Sequence, residues 1–435
     1  MNTFLFRHID NSSLIVFRIF FGLLCFLESV GAIFTGWIKR TLIEPEFTFS
    51  FIDFSWLQPL PGNWMYAYYI IMGVFGLLIM VGYKYRYSAF AFAIMWAGTY
   101  FMQKSSYNNH YYLLFLLSFI MAVLPANSYA SFDAKLNPKL KSISMPNWCR
   151  WVFILQLLIV YTYASIAKIY PDWLDGSVIK LLMQSKSHFP IVGELLQNES
   201  VHYFIAYSGI LFDGLIIPLL LFKPTRKYAF FASIFFHLFN SFIFHIGIFP
   251  YLSLAFCLFF FEPKTIRNIF LKKKELYIGD DIKTPSYLNA FKIAFATYFI
   301  IQVALPLRHY FIEDNVLWTE EGHRLSWRMM LRVKSGSINF RVIDNTTNSF
   351  IPINLNDYLT KKQQRNLKTK PDFIWQFSQM LNQKFEAEGK SVSIFATSYV
   401  SVNGKPSKRF IDPEIDLTEV EWNYFKHNEW LLPSK

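Results

Sequence analysis

WVFILQLLIVYTYASIAKIY, residues 151–170, is the stretch whose reading decides the fold. At about 1.5 Å per residue a helix of this length covers roughly 30 Å, the thickness of a bilayer's hydrocarbon core. Its only charged side chain is Lys168, near the end of the run. A cation within a spanning helix costs roughly 2.5–3.5 kcal/mol on insertion scales, which marks an intramembrane ionisable residue as a candidate functional group. The alternative is a snorkelling lysine, its stem along the helix and its ammonium among the headgroups.

The surrounding chain repeats this character. Of 435 residues, 53% are hydrophobic and 20% aromatic, with 48 phenylalanines. Charged residues make up 17%, below the ~25% usual in soluble domains. Apolar stretches of membrane-spanning length recur from residue 13 to residue 306, the pattern of a polytopic membrane protein. The first has no clear small-residue cleavage site after it, so it reads as a span and not as a signal peptide. About nine spans are expected, at 13–38, 66–82, 88–103, 110–125, 150–170, 202–222, 228–245, 247–261 and 287–306. The net charge of +12 suggests basic loops facing anionic lipid and not a nucleic-acid partner. Cys25, Cys149 and Cys257 lie in or beside apolar spans and form neither a disulfide framework nor a zinc spacing.

Charge also orients the chain. With the N-terminus cytoplasmic, the inner loops hold Lys84 and Arg86, then Lys135, Lys139 and Lys141, then Lys223, Arg226 and Lys227, then a basic run from Lys264 to Lys283. The outer loops hold Glu44, Glu46 and Asp53, then Asp172, Asp175, Glu194 and Glu199, in accord with the positive-inside rule. An odd number of spans places residues 307–435 outside. The expected organisation is a polytopic α-helical membrane domain, residues 1–306, followed by a small α+β, β-rich extracytoplasmic domain, residues 307–435. Residues 391–411, SVSIFATSYVSVNGKPSKRFI, read as a hairpin turning at Asn403-Gly404. Residues 327–333 and 338–343 read as two more strands around a Lys-Ser-Gly-Ser turn, and 371–388 has helical spacing.

Four polar groups stand out. Asn108-Asn109-His110 opens the fourth span. Lys168 ends the fifth, just before Pro171-Asp172-Trp173. His237, Asn240 and Ser241 share one face of the seventh. Trp318, Glu320, Glu321, His323, Arg324 and Trp327 lead into the external domain. Singly, each has a structural explanation: a helix cap, interhelical hydrogen bonding or an interfacial aromatic belt. Under the topology above they gather toward one side of the membrane, which points to a shared site. No two-histidine-plus-carboxylate metal pattern, P-loop or nucleophile elbow is present. A bis-histidine haem using two of His110, His237 and His245 stays open.

At these residues the sequence resembles the vitamin K-dependent γ-glutamyl carboxylase family, including its short bacterial homologues with a horizontally transferred transmembrane domain. The matching stretches are YNNHYYLLFLLSF (107–119), VYTYASIAKIYPDWLDG (160–176), FFHLFNSFIFHIGIFPY (235–251), LWTEEGHRLSWRMMLRVKSG (317–336) and YVSVNGKPSKRFIDPEIDL (399–417). The resemblance implies a carbon–carbon lyase of the peptidyl-glutamate carboxylase type. In that family a reduced naphthoquinone is deprotonated and reacts with dioxygen, giving a strongly basic alkoxide on the way to its epoxide. That base removes a γ-proton from a substrate glutamate, and the carbanion attacks carbon dioxide.

Carried over residue by residue, Lys168 matches the catalytic base, Asn109 and His110 the essential Asn-His pair, and His237 the histidine of a Phe-His-x-x-Asn-Ser motif. Asn240, Ser241, Trp318, His323 and Trp327 are the accompanying quinone- or substrate-binding candidates. An amine acts as a base only when neutral, and apolar surroundings favour that form. Expected partners are a glutamate-containing polypeptide, the lipid bilayer and a quinone reductase system, with reduced vitamin K as cofactor, O2 and CO2 as co-substrates and no metal. The membrane would be the cytoplasmic one in a bacterium and that of the endoplasmic reticulum in a eukaryote. The chain departs from the animal enzymes' Gly-Leu-Tyr-Gly-Tyr stretch, carrying Glu321-Gly322-His323-Arg324-Leu325 in its place. The alternatives are a quinol epoxidase without carboxylation and a non-enzymatic haem-binding or envelope interaction protein.

Overall fold

In hydrocarbon each backbone N–H and C=O has to pair within its own segment, so apolar runs of this length become helices. The computed structural model describes residues 2–434. All nine apolar stretches are helical: α1 (Ser12–Phe34), α2 (Trp64–Val81), α3 (Tyr85–Met102), α4 (Asn109–Val123), α5 (Trp148–Ile166), α6 (Glu199–Leu221), α7 (Arg226–Phe244), α8 (Phe249–Phe256) and α9 (Leu288–Leu307). Six of them, α1, α2, α5, α6, α7 and α9, are long and apolar enough to cross a membrane. Of the roughly nine spans expected, these six meet that test by length and composition, while α3, α4 and α8 are shorter or less apolar. At 247–261 the reason is geometric. His245 and Gly247 take left-handed φ values of 52° and 64°. The helix that follows has 8 residues, about 12 Å at 1.5 Å per residue. Phe249, Leu252 and Phe256 of α8 are buried in the bundle core, which makes this stretch as apolar as a lipid-facing span.

Helices α1 and α2 meet through glycine. A Cβ on Gly22 would stand 2.3 Å from the Met80 amide nitrogen and 2.7 Å from the Gly76 carbonyl oxygen. Small residues allow such backbone approach between apolar helices. Gly22→Ala is expected to force α1 from α2 and destabilise the bundle by about 1–3 kcal/mol. Thermal unfolding of the purified protein in detergent reads this directly, and an unchanged midpoint would contradict the contact. Toward the N-terminal end of α1, about one turn before Gly22, buried Arg18 donates to the carbonyls of Ala126 (3.0 Å) and Ala130 (2.7 Å), tying α1 to the 126–130 loop. A two-stranded pairing of β1 (His8–Asp10) with β2 (Ser144–Pro146) closes the same end.

The C-terminal part is a four-stranded antiparallel sheet in the order β4 (Ser349–Ile351), β3 (Lys334–Asp344), β5 (Val392–Val402), β6 (Lys408–Arg409). β3 and β5 pair from Lys334↔Val402 to Asp344↔Val392. Their alternating inward residues, among them Phe340, Val342, Ile394, Ala396 and Val400, share a core with Phe373, Phe377 and Leu381 of α10 (Pro371–Ala387). Asn403 and Gly404, both left-handed, turn β5 toward β6 where the hairpin was expected.

Residues 327–333 are not a strand, and Lys334-Ser335-Gly336-Ser337 is part of β3 and not a turn. Leu325, Trp327 and Met330 have φ values of 61°, 56° and 53°. Burial explains the irregular path: Trp327 stacks on Tyr112 of α4 at 4.8 Å, and Leu331 sinks into a separate apolar cluster beside Trp173. The segment follows the end of the bundle and lays a roof over it.

Candidate active site

α5 ends at Ile166, and Lys168 lies just past that end. Its ammonium does not snorkel. The residue is 8% exposed, and Nζ donates to the Ala164 carbonyl at 3.0 Å and to Asp213 Oδ2 at 2.5 Å. Nζ also lies 5.6 Å from the centroid of the Trp173 ring, within cation–π range. Asp213, buried on α6, is the only acid of that helix beyond its first turn.

The pair faces a cavity of about 360 Å³, within the ~300–1,000 Å³ range of small-molecule sites. His110, one residue into α4, lines it with its ring stacked on Phe249 at 4.0 Å. His237 enters from α7, its Nε2 3.1 Å from the Tyr161 hydroxyl. Asn240, about one turn on, donates its amide to the Phe236 carbonyl at 2.9 Å and lines the cavity. Met329 and Met330 come from the roof segment, and the remaining wall is mostly aromatic and aliphatic. Phe204 and Phe235 line the cavity and are 66% and 71% exposed on the outer apolar face of α6 and α7. The chamber therefore borders the lipid-facing side of the bundle.

Lys168, His110, His237 and Asn240 thus come together. Asn109 stands behind the wall: its Nδ2 donates to the Arg328 carbonyl at 3.0 Å, and its Oδ1 accepts from the Tyr107 hydroxyl at 2.9 Å. Trp327 braces the roof on Tyr112. Ser241 turns away toward the Tyr251 hydroxyl at 3.3 Å. Trp318 belongs to the sheet domain's core, its indole N–H donating to Leu432 O at 2.8 Å. His323 accepts from Arg332 at 2.9 Å in a network away from the chamber. His245 lies outside the chamber lining. Among the described residues, no three His, Cys, Asp or Glu side chains are placed to share a metal ion.

Two carboxylates escaped the sequence reading. Asp213 is the partner of Lys168. Glu28 of α1 accepts from the Tyr111 hydroxyl at 2.6 Å and borders a second cavity of about 220 Å³. Both lie within apolar spans, and the cost of an intramembrane charge that singled out Lys168 applied to them equally.

A helical bundle with a buried lysine–aspartate pair, capped by a sheet domain, matches two family models in tandem. Residues 6–264 match the HTTM domain, and residues 287–435 match the vitamin K-dependent gamma-carboxylase lumenal domain. The chain is thus an integral membrane protein of the HTTM-domain class. With both parts present in this order, it belongs to the vitamin K-dependent γ-carboxylase family. The boundary between the matches puts α9 with the second part. No solved structure matches the chain.

Proposed function

We propose that this protein is an integral-membrane γ-glutamyl carboxylase that couples oxygenation of a reduced naphthoquinone to carboxylation of glutamate side chains in a polypeptide. The observation that carries this reading is the Lys168 amine, buried against Asp213 in an apolar chamber at the edge of the lipid. A flat apolar bicycle with two oxygens on opposite edges of one ring fits such a chamber, where polar groups are few and convergent. When bound, the reduced naphthoquinone supplies an acidic hydroxyl and the electrons that reduce dioxygen.

The chain's own residues do the remaining work. Lys168 accepts the hydroxyl proton, its own spare proton residing on Asp213 across the 2.5 Å contact when it does so. His110 offers a ring N–H to the oxyanion that forms. Asn109 is a positioning residue: by holding the Arg328 carbonyl it sets the roof that carries Met329 and Met330. The aromatic wall keeps water from strongly basic species. The exposed Phe204 and Phe235 edge supports lateral entry from the bilayer, with the quinone returned to its reduced form by a membrane reductase system. Charge asymmetry supports a cytoplasmic N-terminus and an extracytoplasmic sheet domain that meets the polypeptide.

Membranes containing the protein, given reduced vitamin K, labelled bicarbonate and a glutamate-bearing peptide, should fix label into the peptide. Epoxide formation without label across several peptides would replace this reading with a quinol epoxidase. A Soret band with no quinol turnover would replace it with a haem-binding protein.

A further inference from the structure

We propose that the junction between bundle and sheet domain holds a binding site for a carboxylate-type anion, supplied by an acidic side chain of the polypeptide substrate or by free bicarbonate. The inference rests on the carboxylase reading for its choice of sources. The site itself rests on the junction's charges.

Two buried triads lie here, each an anion between two cations. Asp372 binds Lys104 at 2.5 Å and Arg324 through both oxygens, at 2.7 and 3.1 Å. Glu320 binds Arg332 and, at 3.3 Å, Lys334. Each triad carries one uncompensated positive charge, and burying such a charge is costly unless it is paired. Arg308 adds another cation: its Nη2 donates to the Arg324 carbonyl at 2.7 Å, while its buried Nε has no hydrogen-bond partner.

Lys104, Arg308 and Arg324 line one cavity of about 110 Å³. At roughly 30 Å³ per water this is space for three or four waters, or for one carboxylate, but not for a bicyclic quinone. The carboxylates on the same wall are already engaged. Asp372 and Glu320 sit in their triads, and Glu321 accepts from Asn428 at 2.6 Å and pairs with His427 at 2.8 Å. Guanidinium groups with a spare N–H are suited to planar oxyanions.

The charge balance leaves its mark on Lys104. Burial lowers its pKa to about 8, Asp372 pulling upward and Arg324 pushing further down. Asp372 of α10 and Arg324 of the linker act on it directly. Arg308 from the end of α9 and Glu320 and Glu321 from the linker share its cavity wall. Lys370, over the same Phe373 ring, is a second buried amine with a pKa lowered to about 7 by burial. An arriving anion supplies the counter-charge that Lys104 shares with Arg324, so binding takes up a proton near pH 8 and weakens above it.

The site is wired to the chamber. The Arg324 guanidinium lies 5.8 Å from the centroid of the Tyr107 ring. The Tyr107 hydroxyl accepts from the Leu325 amide at 2.7 Å and donates to Asn109, the neighbour of His110.

Binding to the full chain in detergent, without quinol, tests this independently of turnover. A short glutamate-bearing peptide should bind at least about tenfold more tightly than its glutamine isostere, as loss of a charge-assisted hydrogen bond predicts. The difference should shrink above pH 8. It should vanish in Arg308→Gln and return in Arg308→Lys. If both peptides bind alike but bicarbonate alone binds with proton uptake and loses affinity in Arg308→Gln, the anion is bicarbonate. If neither the glutamate preference nor bicarbonate binding appears in the unmutated protein, the site does not exist.

Discussion

Lys168→Ala should lower oxygen-dependent consumption of reduced naphthoquinone by roughly 10²–10⁴-fold, the usual worth of a positioned general base. The chamber walls are otherwise intact in this variant, so quinol binding should persist while turnover falls. Asp213→Asn separates proton handling from packing. The amide preserves size and one hydrogen bond to Lys168 but cannot take its proton. Turnover should again fall, and the variant's pH–rate profile should differ from that of the unmutated enzyme. Removing one member of a buried ion pair also costs stability, by roughly 3–5 kcal/mol. Rates are therefore compared on protein shown to be folded. A Lys168→Ala enzyme working at the unmutated rate would end the base assignment.

Asp372→Asn should be the most damaging single change outside the chamber. It leaves Lys104 and Arg324 facing each other without their anion, and uncompensated buried charge costs roughly 3–5 kcal/mol. Burial by itself would raise the Asp372 pKa, but Arg324 and Lys104 outweigh it and hold the value at about 2. This lies below the ordinary value of 3.8. The sign follows: a carboxyl with a depressed folded pKa adds stability above its unfolded value and loses it as pH falls through the folded one. From the shift, the contribution at neutral pH is about 2 kcal/mol. The unmutated protein should therefore weaken between about pH 4 and pH 2, and Asp372→Asn should lack that component of its acid sensitivity. Lys104 does not share in this gain, because two cations divide one carboxylate. Denaturation midpoints at pH 7 and pH 3 report both effects.

The helices were legible because hydropathy and length are local properties. α8 was misjudged for the same reason: Phe249, Leu252 and Phe256 are apolar because they are buried by other helices, and composition does not distinguish protein from lipid as the apolar partner. The 327–333 stretch looked like a strand because Trp327, Met329, Leu331 and Val333 place an apolar side chain at every second position, yet Trp327, Met329 and Leu331 serve the bundle and not the sheet. Lys168, His110, His237 and Asn240 could be singled out by cost and motif. Their common chamber depends on contacts between positions such as 168 and 213, which no local pattern encodes. Trp318 and His323 shared the polar and aromatic character of site residues, but they are committed to the sheet domain's core and to an ionic network. Asp213 could have been found by asking of every intramembrane charge what had been asked of Lys168.

The roof segment has a consequence for how this protein is assembled. Met329 and Met330 close the chamber from the segment after α9, while Lys168, Asp213, His110 and His237 stand in the bundle before it. The bundle by itself is an open bowl, and the lid is manufactured only when the last third of the polypeptide has emerged and docked. A chamber built this way is complete only once the segment after α9 has been made and has docked on the bundle.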